Sequence, residues 1–247
     1  MNVQTLIESH TAIISFSHPP VNALPSQVLK ELETHIHAAG QNNEIKIIVL
    51  RSEGRTFCAG ASFDELIALH DFHQAKEFFM GFARVILAMR SAPKPVVARV
   101  QGKTVGGGNG IVAAADLAVA TEDAAFKLSE LSIGIGPYVI APAIIRKTGI
   151  SVFEQMAFQP WRWFSAFDMK KHGLLSHVTE SVSRMDEIIE EITVAYAKYD
   201  KEAISGLKKD AWKDTADWEK LLEKQAEKSA SLLLREETKK IIKELKK

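Results

Sequence analysis

Cysteine is almost absent from this 247-residue chain, which contains only Cys58. One thiol excludes an internal disulfide and suits a reducing compartment. Net charge is absent as well: 31 basic residues face 31 acidic ones, so electrostatics give no reason to expect a nucleic-acid partner. Although 46% of the residues are apolar, no stretch approaches 18 uninterrupted apolar positions, and no membrane span is expected. The first residues lack the basic and apolar regions of a secretory signal, so a cytoplasmic protein is expected. No Gly-x-Ser-x-Gly elbow is present. His70 and His73 would share a helix face, but no third ligand is evident, and no metal site is expected.

What the chain does have is Gly106, Gly107 and Gly108, followed by Asn109 and Gly110. They lie between the apolar run 95–100 and an alanine-rich stretch with helical character. Glycines at a helix start let a ligand or another backbone approach closely, and the first helical N–H groups lack intrahelical acceptors. A second small-residue turn, Phe57-Cys58-Ala59-Gly60-Ala61, follows the apolar stretch Ile45 to Leu50 and leads into a helix expected over Phe63 to His70. Two such turns can converge their N–H groups on one oxygen, which is what an oxyanion hole requires. Cys58 reads as a small buried residue, since no histidine partner is evident for a nucleophile.

Other glycine motifs fail. Gly102-Lys103-Thr104 resembles the end of a P-loop, but the glycine required five residues before Gly102 is Val97. Gly108-x-Gly110-x-x-Ala113 fits a dinucleotide fingerprint, yet Glu122 and Asp123 come too soon for the ribose-binding acid.

Strands are expected at Thr11–Ser15, Ile45–Leu50, Val96–Val100 and Leu117–Thr121. Leu29, Leu32 and Ile36 share one face of a helix over Gln27–Ala39. Ser165 with Asp168 predicts a capped helix start, ended by Gly173. From Ser183 onward the pattern is helical and more charged, with Trp212 and Trp218 expected to pack against a core or a partner subunit. The basic residues Arg235, Lys239, Lys240, Lys243, Lys246 and Lys247, interspersed with Glu236, Glu237 and Glu244, read as a solvated helix face.

The chain resembles the enoyl-CoA hydratase/isomerase (crotonase) family. The resemblance rests on His18-Pro-Pro-Val-Asn-Ala-Leu24, Thr56-Phe-Cys-Ala-Gly-Ala61, Lys94-Pro-Val-Val-Ala-Arg-Val-Gln-Gly102 and Gly106-Gly-Gly108. It continues through Ala115-Asp-Leu-Ala-Val-Ala120, Phe126-Lys-Leu-Ser-Glu-Leu-Ser-Ile-Gly134 and the stretch Phe164 to Leu175. It implies an α/β fold: a crotonase-like spiral of ββα units over residues 1–182, with a helical C-terminal region over 183–247 for oligomerisation and pocket closure. It further implies an acyl-CoA thioester as substrate, a homotrimer or dimer of trimers, and no cofactor beyond the CoA that the substrate carries. The basic C-terminal helix would then lie near the CoA phosphates.

By the same resemblance, the backbone N–H groups of Ala61 and Gly107 would hold the thioester oxygen, and Glu130 would act as acid/base. Losing one oxyanion donor commonly costs about 3 kcal/mol of transition-state stabilisation. Leu128, Leu131 and Ile133 should desolvate Glu130 and raise its pKa. Ala59, Ser62, Phe63, Gly106, Gly108, Gly110 and Pro137 are the expected substrate-binding positions. Two departures stand out. Gly110 occupies the position of the family's first catalytic glutamate, and Ser62 replaces an aspartate often found after the oxyanion alanine. Of the other acids near the site in sequence, Asp116 matches a structural position, while Asp64 and Glu65 have no assigned role. Tyr138 could hold a water or wall the acyl pocket. With Gly110, the segment Gly134 to Pro142 resembles the methylglutaconyl-CoA hydratase-like branch, associated with leucine and isoprenoid breakdown. Hydration of a branched 2-enoyl-CoA is therefore expected. Double-bond isomerisation by Glu130 alone and a non-catalytic acyl-CoA-binding role are the alternatives.

Overall fold

The computed structural model describes residues 2–246; Lys247 of the basic C-terminal run lies outside them. The chain opens with β1 (Val3–Glu8), β2 (Thr11–Phe16), β3 (Ala23–Leu24), α1 (Ser26–Gln41), β4 (Ile47–Ser52) and β5 (Gly60–Ala61). Next come α2 (Phe63–Ala68), α3 (Phe72–Ser91), β6 (Val96–Val100), β7 (Lys103–Val105), α4 (Gly107–Ala114), β8 (Leu117–Thr121) and β9 (Ala125–Lys127). A 3-10 turn, Glu130–Ile133, precedes α5 (Ala141–Thr148), α6 (Ile150–Ala157), β10 (Phe164–Ser165), α7 (Ala166–Lys171) and β11 (His177–Thr179). Four helices finish the chain: α8 (Val182–Lys198), α9 (Lys201–Ala211), α10 (Trp218–Leu233) and α11 (Glu236–Leu245).

Six strands form the main sheet in the order β1-β2-β4-β6-β8-β11. Only the β1–β2 pair is antiparallel. Parallel strands need both faces covered, and the near-continuous apolar runs of β4, β6 and β8 supply side chains for both. Ile48, Leu50, Val96, Ala98, Val100, Ala118 and Ala120 face the large core that α1 and α3 cover. Ile47, Val49, Val97 and Val119 point the other way, against Met185 and Ile189 of α8. A smaller sheet, β10-β9-β7, and the β3–β5 pair carry the segments that form the candidate site.

The expected strands at 11–15, 96–100 and 117–121 are present. The strand expected from Ile45 begins at Ile47, where its parallel ladder with Thr11 starts, and runs on to Ser52 opposite Phe16. The helix expected to reach His70 stops at Ala68, because Lys239 Nζ takes the carbonyls of Leu66, Ile67 and Leu69. His70 thus sits in the turn before α3 and shares no helix face with His73. The capping box at Ser165 and Asp168 is formed, and Gly173 follows α7 with φ of +81°. Trp212 and Trp218 meet edge to face at 5.6 Å and join the main core, as do Leu222, Ala226, Leu233 and Ile242. Helices α10 and α11 therefore share the core of the sheet.

Candidate active site

Strand β5 is suspended on β3. Ala59 N–H donates to the Asn22 carbonyl at 3.2 Å and Ser62 N–H to the Leu24 carbonyl at 3.0 Å. Asn22 is fixed by its own amide, which donates to the carbonyls of Glu53 and Thr56 at 2.8 and 2.7 Å. Val105 N–H donates to the Cys58 carbonyl at 2.8 Å, joining this turn to the glycine triplet. A Cβ on Gly60 would lie 3.2 Å from the Val105 carbonyl oxygen, so the two turns are in van der Waals contact.

Gly106 caps α4 with φ of +52°, a conformation that glycine alone adopts without strain. A Cβ there would stand 3.0 Å from Glu130 Oε1, so the missing side chain is what lets the carboxylate approach the turn. Gly107 occupies the first position of α4, where helix geometry provides no acceptor for its N–H. Any Cβ on Gly107 would meet the Phe82 ring at 2.2 Å.

These segments border a cavity of about 140 Å³ whose wall includes Ala59, Ala61, Phe63, Gly106, Gly107, Glu130, Pro137 and Tyr138. Of the lining side chains only Glu130 and Tyr138 ionise; the rest are glycine, alanine, proline, aliphatic, phenylalanine or serine. Glu130 Oε2 is buried with no hydrogen-bond partner. Burial pushes the carboxyl up to about 7, against backbone hydrogen bonds from Glu130 itself and Ser129 that pull it down. Leu128 and Ile133 are buried beside it as expected. Leu131, however, is 50% exposed, because the 3-10 turn points it outward, and it does not contribute to that desolvation.

Three expected binding positions lie outside the cavity wall. Ser62 is the N-cap of α2, and its hydroxyl accepts from Glu65 N–H. Gly108 packs on Cys58, whose Cβ would be 2.7 Å from an added methyl. Gly110 faces Ile140: a Cβ would fall 2.3 Å from Ile140 Cγ2. The space beside Gly110 is filled by hydrocarbon. Gly110→Ala is accordingly expected to destabilise the fold by about 1–2 kcal/mol through overpacking, despite a gain of about 1 kcal/mol in helix propensity. Combining it with Ile140→Ala should show coupling of more than about 1 kcal/mol in a double-mutant unfolding cycle. Additive losses would remove Ile140 as the obstacle.

Cys58 is fully buried, and burial pushes its thiol up to about 12, as fits a packing residue. Glu65 binds Ser26 through its backbone N–H and its hydroxyl, and Asp64 pairs with Lys246. Lys239, assigned to a solvated face from its neighbours in sequence, is buried as the cap of α2. Phe79 and Phe82 of α3, Ile135, Ile140, and Ser229 of α10 line the cavity without having been singled out from sequence. The phenylalanines share the apolar face of α3 with core residues, and nothing in the pattern separates the two roles. Among the described residues no group of three or more His, Cys, Asp or Glu side chains is arranged to hold a metal.

The enoyl-CoA hydratase/isomerase family model matches residues 7–244. A Mycobacterium tuberculosis hydrolase of a methyl-dioxo-hexahydro-indene-carboxyl-CoA is 36% identical over 130 residues, which is 53% of this chain and 53% of that protein. The human mitochondrial enoyl-CoA hydratase domain-containing protein 3 is 30% identical over 168 residues, 67% of this chain and 54% of the relative. The chain thus spans about half the length of these curated relatives. The crystal structure of an enoyl-CoA hydratase from Bacillus halodurans superimposes with a TM-score of 0.91 at 22% identity, covering 99% of this chain and 100% of that one. That likeness bears out the crotonase fold. With the match of the family model over nearly its whole length, the chain belongs to the enoyl-CoA hydratase/isomerase family.

Proposed function

We propose that this protein moves a proton at the α-carbon of an acyl-CoA thioester, with Glu130 as the single acid/base and the N–H groups of Ala61 and Gly107 holding the enolate oxygen. The observation that carries this reading is Glu130 itself: among the described residues the only carboxylate on the cavity wall, with one oxygen buried and unpartnered. On a 3-enoyl-CoA the base takes a proton from C2. The electron pair delocalises onto the thioester oxygen, and the same carboxylate returns the proton at C4, giving the 2-enoyl isomer. One carboxylate suffices, and no cofactor is needed beyond the CoA of the substrate. A pKa near the working pH suits a group that must both accept and give the proton.

Hydration of a branched 2-enoyl-CoA is the second reading, supported by Tyr138, whose phenol borders the same cavity and could hold the water. Ile140 against Gly110 counts against it, because hydrocarbon stands where a second carboxylate would position that water. A purely binding role is disfavoured, since a binder gains nothing from a carboxylate held out of water. Assembly as a trimer or a dimer of trimers, and a cytoplasmic location, belong to the same proposal.

Mass spectrometry of straight-chain 2-enoyl, 3-enoyl and methylglutaconyl-CoA, incubated with the protein in deuterated water, tests it. A cyclic dioxo acyl-CoA should be added in view of the mycobacterial relative. A shifted double bond without added water is the expected result. Added water on a 2-enoyl thioester would replace this reading with hydration, ring opening of the dioxo ester would replace it with hydrolysis, and binding without any change would leave a non-catalytic protein.

A further inference from the structure

We propose that Asn109 is a positioning residue that fixes the Gly107 N–H relative to the Glu130 carboxylate by tying their two supporting segments together through one side-chain amide. The proposal rests on the reading above that those two groups act on one thioester. Asn109 is fully buried in the first turn of α4. Its Nδ2 donates to the carbonyls of Thr104 at 3.3 Å, Gly106 at 3.2 Å and Lys127 at 3.0 Å. Thr104 and Gly106 belong to the strand and turn that deliver Gly107. Lys127 ends β9, and its chain continues through Leu128 and Ser129 into Glu130.

The Lys127 carbonyl also accepts the Gly106 N–H at 2.9 Å, and the Gly106 carbonyl accepts the Asn109 N–H at 2.9 Å. One amide therefore closes a ring of hydrogen bonds around the left-handed Gly106, against which the Glu130 carboxylate rests. Helix formation does not explain the residue, since asparagine is a poorer helix former than alanine. Burial does not explain it either: Asn109 Oδ1 has no partner, and an unmet buried acceptor opposes folding. What the amide supplies, and an apolar side chain would not, is a second link between the turn and β9, beside the backbone bond from Gly106 to Lys127. Small displacements of a reacting group are expensive in rate, so such a link has a direct kinetic consequence.

Asn109→Ala is the test, with Ile111→Val as control: Ile111 is buried on the same helix and makes none of these hydrogen bonds. Both variants keep the backbone donors to Gly106 and Lys127, and Asn109→Ser provides a milder lesion should alanine not fold. The first readout needs no substrate. It is carboxyl NMR of protein carrying 13C-labelled glutamate, with Glu130 assigned by the signal missing from Glu130→Gln. Loosening β9 against the turn should admit water to Glu130 and lower its titration midpoint by about half a pH unit or more, while Ile111→Val leaves it in place. The second readout is turnover of whichever thioester the wild type converts. It should fall on the order of tenfold to a hundredfold in kcat with KM within about twofold. An unchanged midpoint in Asn109→Ala, or an equal response from Ile111→Val, overturns the proposal. Turnover retained by Glu130→Gln would defeat the proposed function instead, and the titration would still decide whether Asn109 sets the Glu130 environment.

Discussion

Glu130→Gln is expected to abolish turnover and, at the same pH, to make the protein harder to unfold. General acid–base groups contribute about a hundredfold to ten-thousandfold in rate, and among the cavity-lining residues there is no second carboxylate to substitute. The stability change follows from linkage. The folded chain holds the Glu130 proton up to about pH 7, whereas the ordinary carboxyl releases it at 4.5. Between those values the native state binds more protons than the unfolded one, so stability falls as pH rises. This carboxyl's contribution is fully present below 4.5 and lost by the time pH has passed 7, amounting to about 3 kcal/mol. Glutamine has nearly the same shape and never ionises. Denaturant unfolding should give similar stabilities for the two proteins near pH 4.5 and a variant more stable by up to about 3 kcal/mol at pH 8. Parallel stability curves would mean that Glu130 is not held protonated by its surroundings. Wild-type turnover should rise with pH around a midpoint near 7 if Glu130 acts as the base.

The opposition of the two effects is physical. A carboxylate ready to take a proton from carbon must be short of hydrogen bonds and water, and that condition is unfavourable to the folded state. Gly106 and the apolar cavity wall impose it here: one leaves room for the carboxylate against a backbone turn, the other, Ile133 and Ile135 included, surrounds it with hydrocarbon.

Much of this arrangement was legible in the sequence because glycine and glutamate are informative in context. Three glycines at a helix start and a second small turn before α2 pointed to two converging backbone segments, and the structure brings them into contact. The apolar runs at 45–50 and 96–100 likewise read as strands, and β4 and β6 lie there with both faces buried. What the sequence hid were relations between distant residues. Nothing near Gly110 announces that Ile140, thirty positions later, fills its space. Lys239 looks like its solvated neighbours Lys240 and Lys243, yet it alone meets the end of α2. Ser62 follows Ala61 directly on the edge of the cavity, but its side chain turns away to cap α2. Asn109 was visible as a residue but not as a link, since its three acceptors lie on two other segments.

Asp116→Ala should produce the largest loss of stability. Asp116 Oδ2 accepts the Val96 N–H at 2.8 Å and meets Lys208 Nζ at 2.9 Å, while Oδ1 accepts Trp212 Nε1 at 3.0 Å. Lys208 is almost wholly buried, and its remaining donors go to the Met89 and Lys94 carbonyls, both at 2.7 Å. Lys147 lies close by, donating to the Ala115 and Asp116 carbonyls at 2.8 Å, and the Arg146 guanidinium stacks 3.7 Å from the Trp212 ring. Burial lowers the pKa of Lys208 and takes Lys147 down to about 8, with the Asp116 charge opposing both. One carboxylate thus balances several cations where α9 and Trp212 meet the sheet. Removing it leaves Lys208 charged and buried and strips two N–H groups of their acceptor, at an expected cost of about 3–5 kcal/mol. That is a large part of the stability of a typical domain. Asp116→Asn keeps a polar side chain without the charge, so its difference from alanine separates hydrogen bonding from Coulomb attraction. The pH dependence supplies a second check. A lysine whose folded pKa is depressed weakens the fold while it is charged, and the native chain gains stability as pH rises above that value. Without Asp116 the depression deepens, so the variant's deficit should narrow from neutral pH to about pH 9. Hydrogen exchange should report the loss first in α9, which Lys208 anchors. A deficit below about 1 kcal/mol, or one independent of pH, would show that water reaches Lys208 and that the helix is held by Trp212 packing alone.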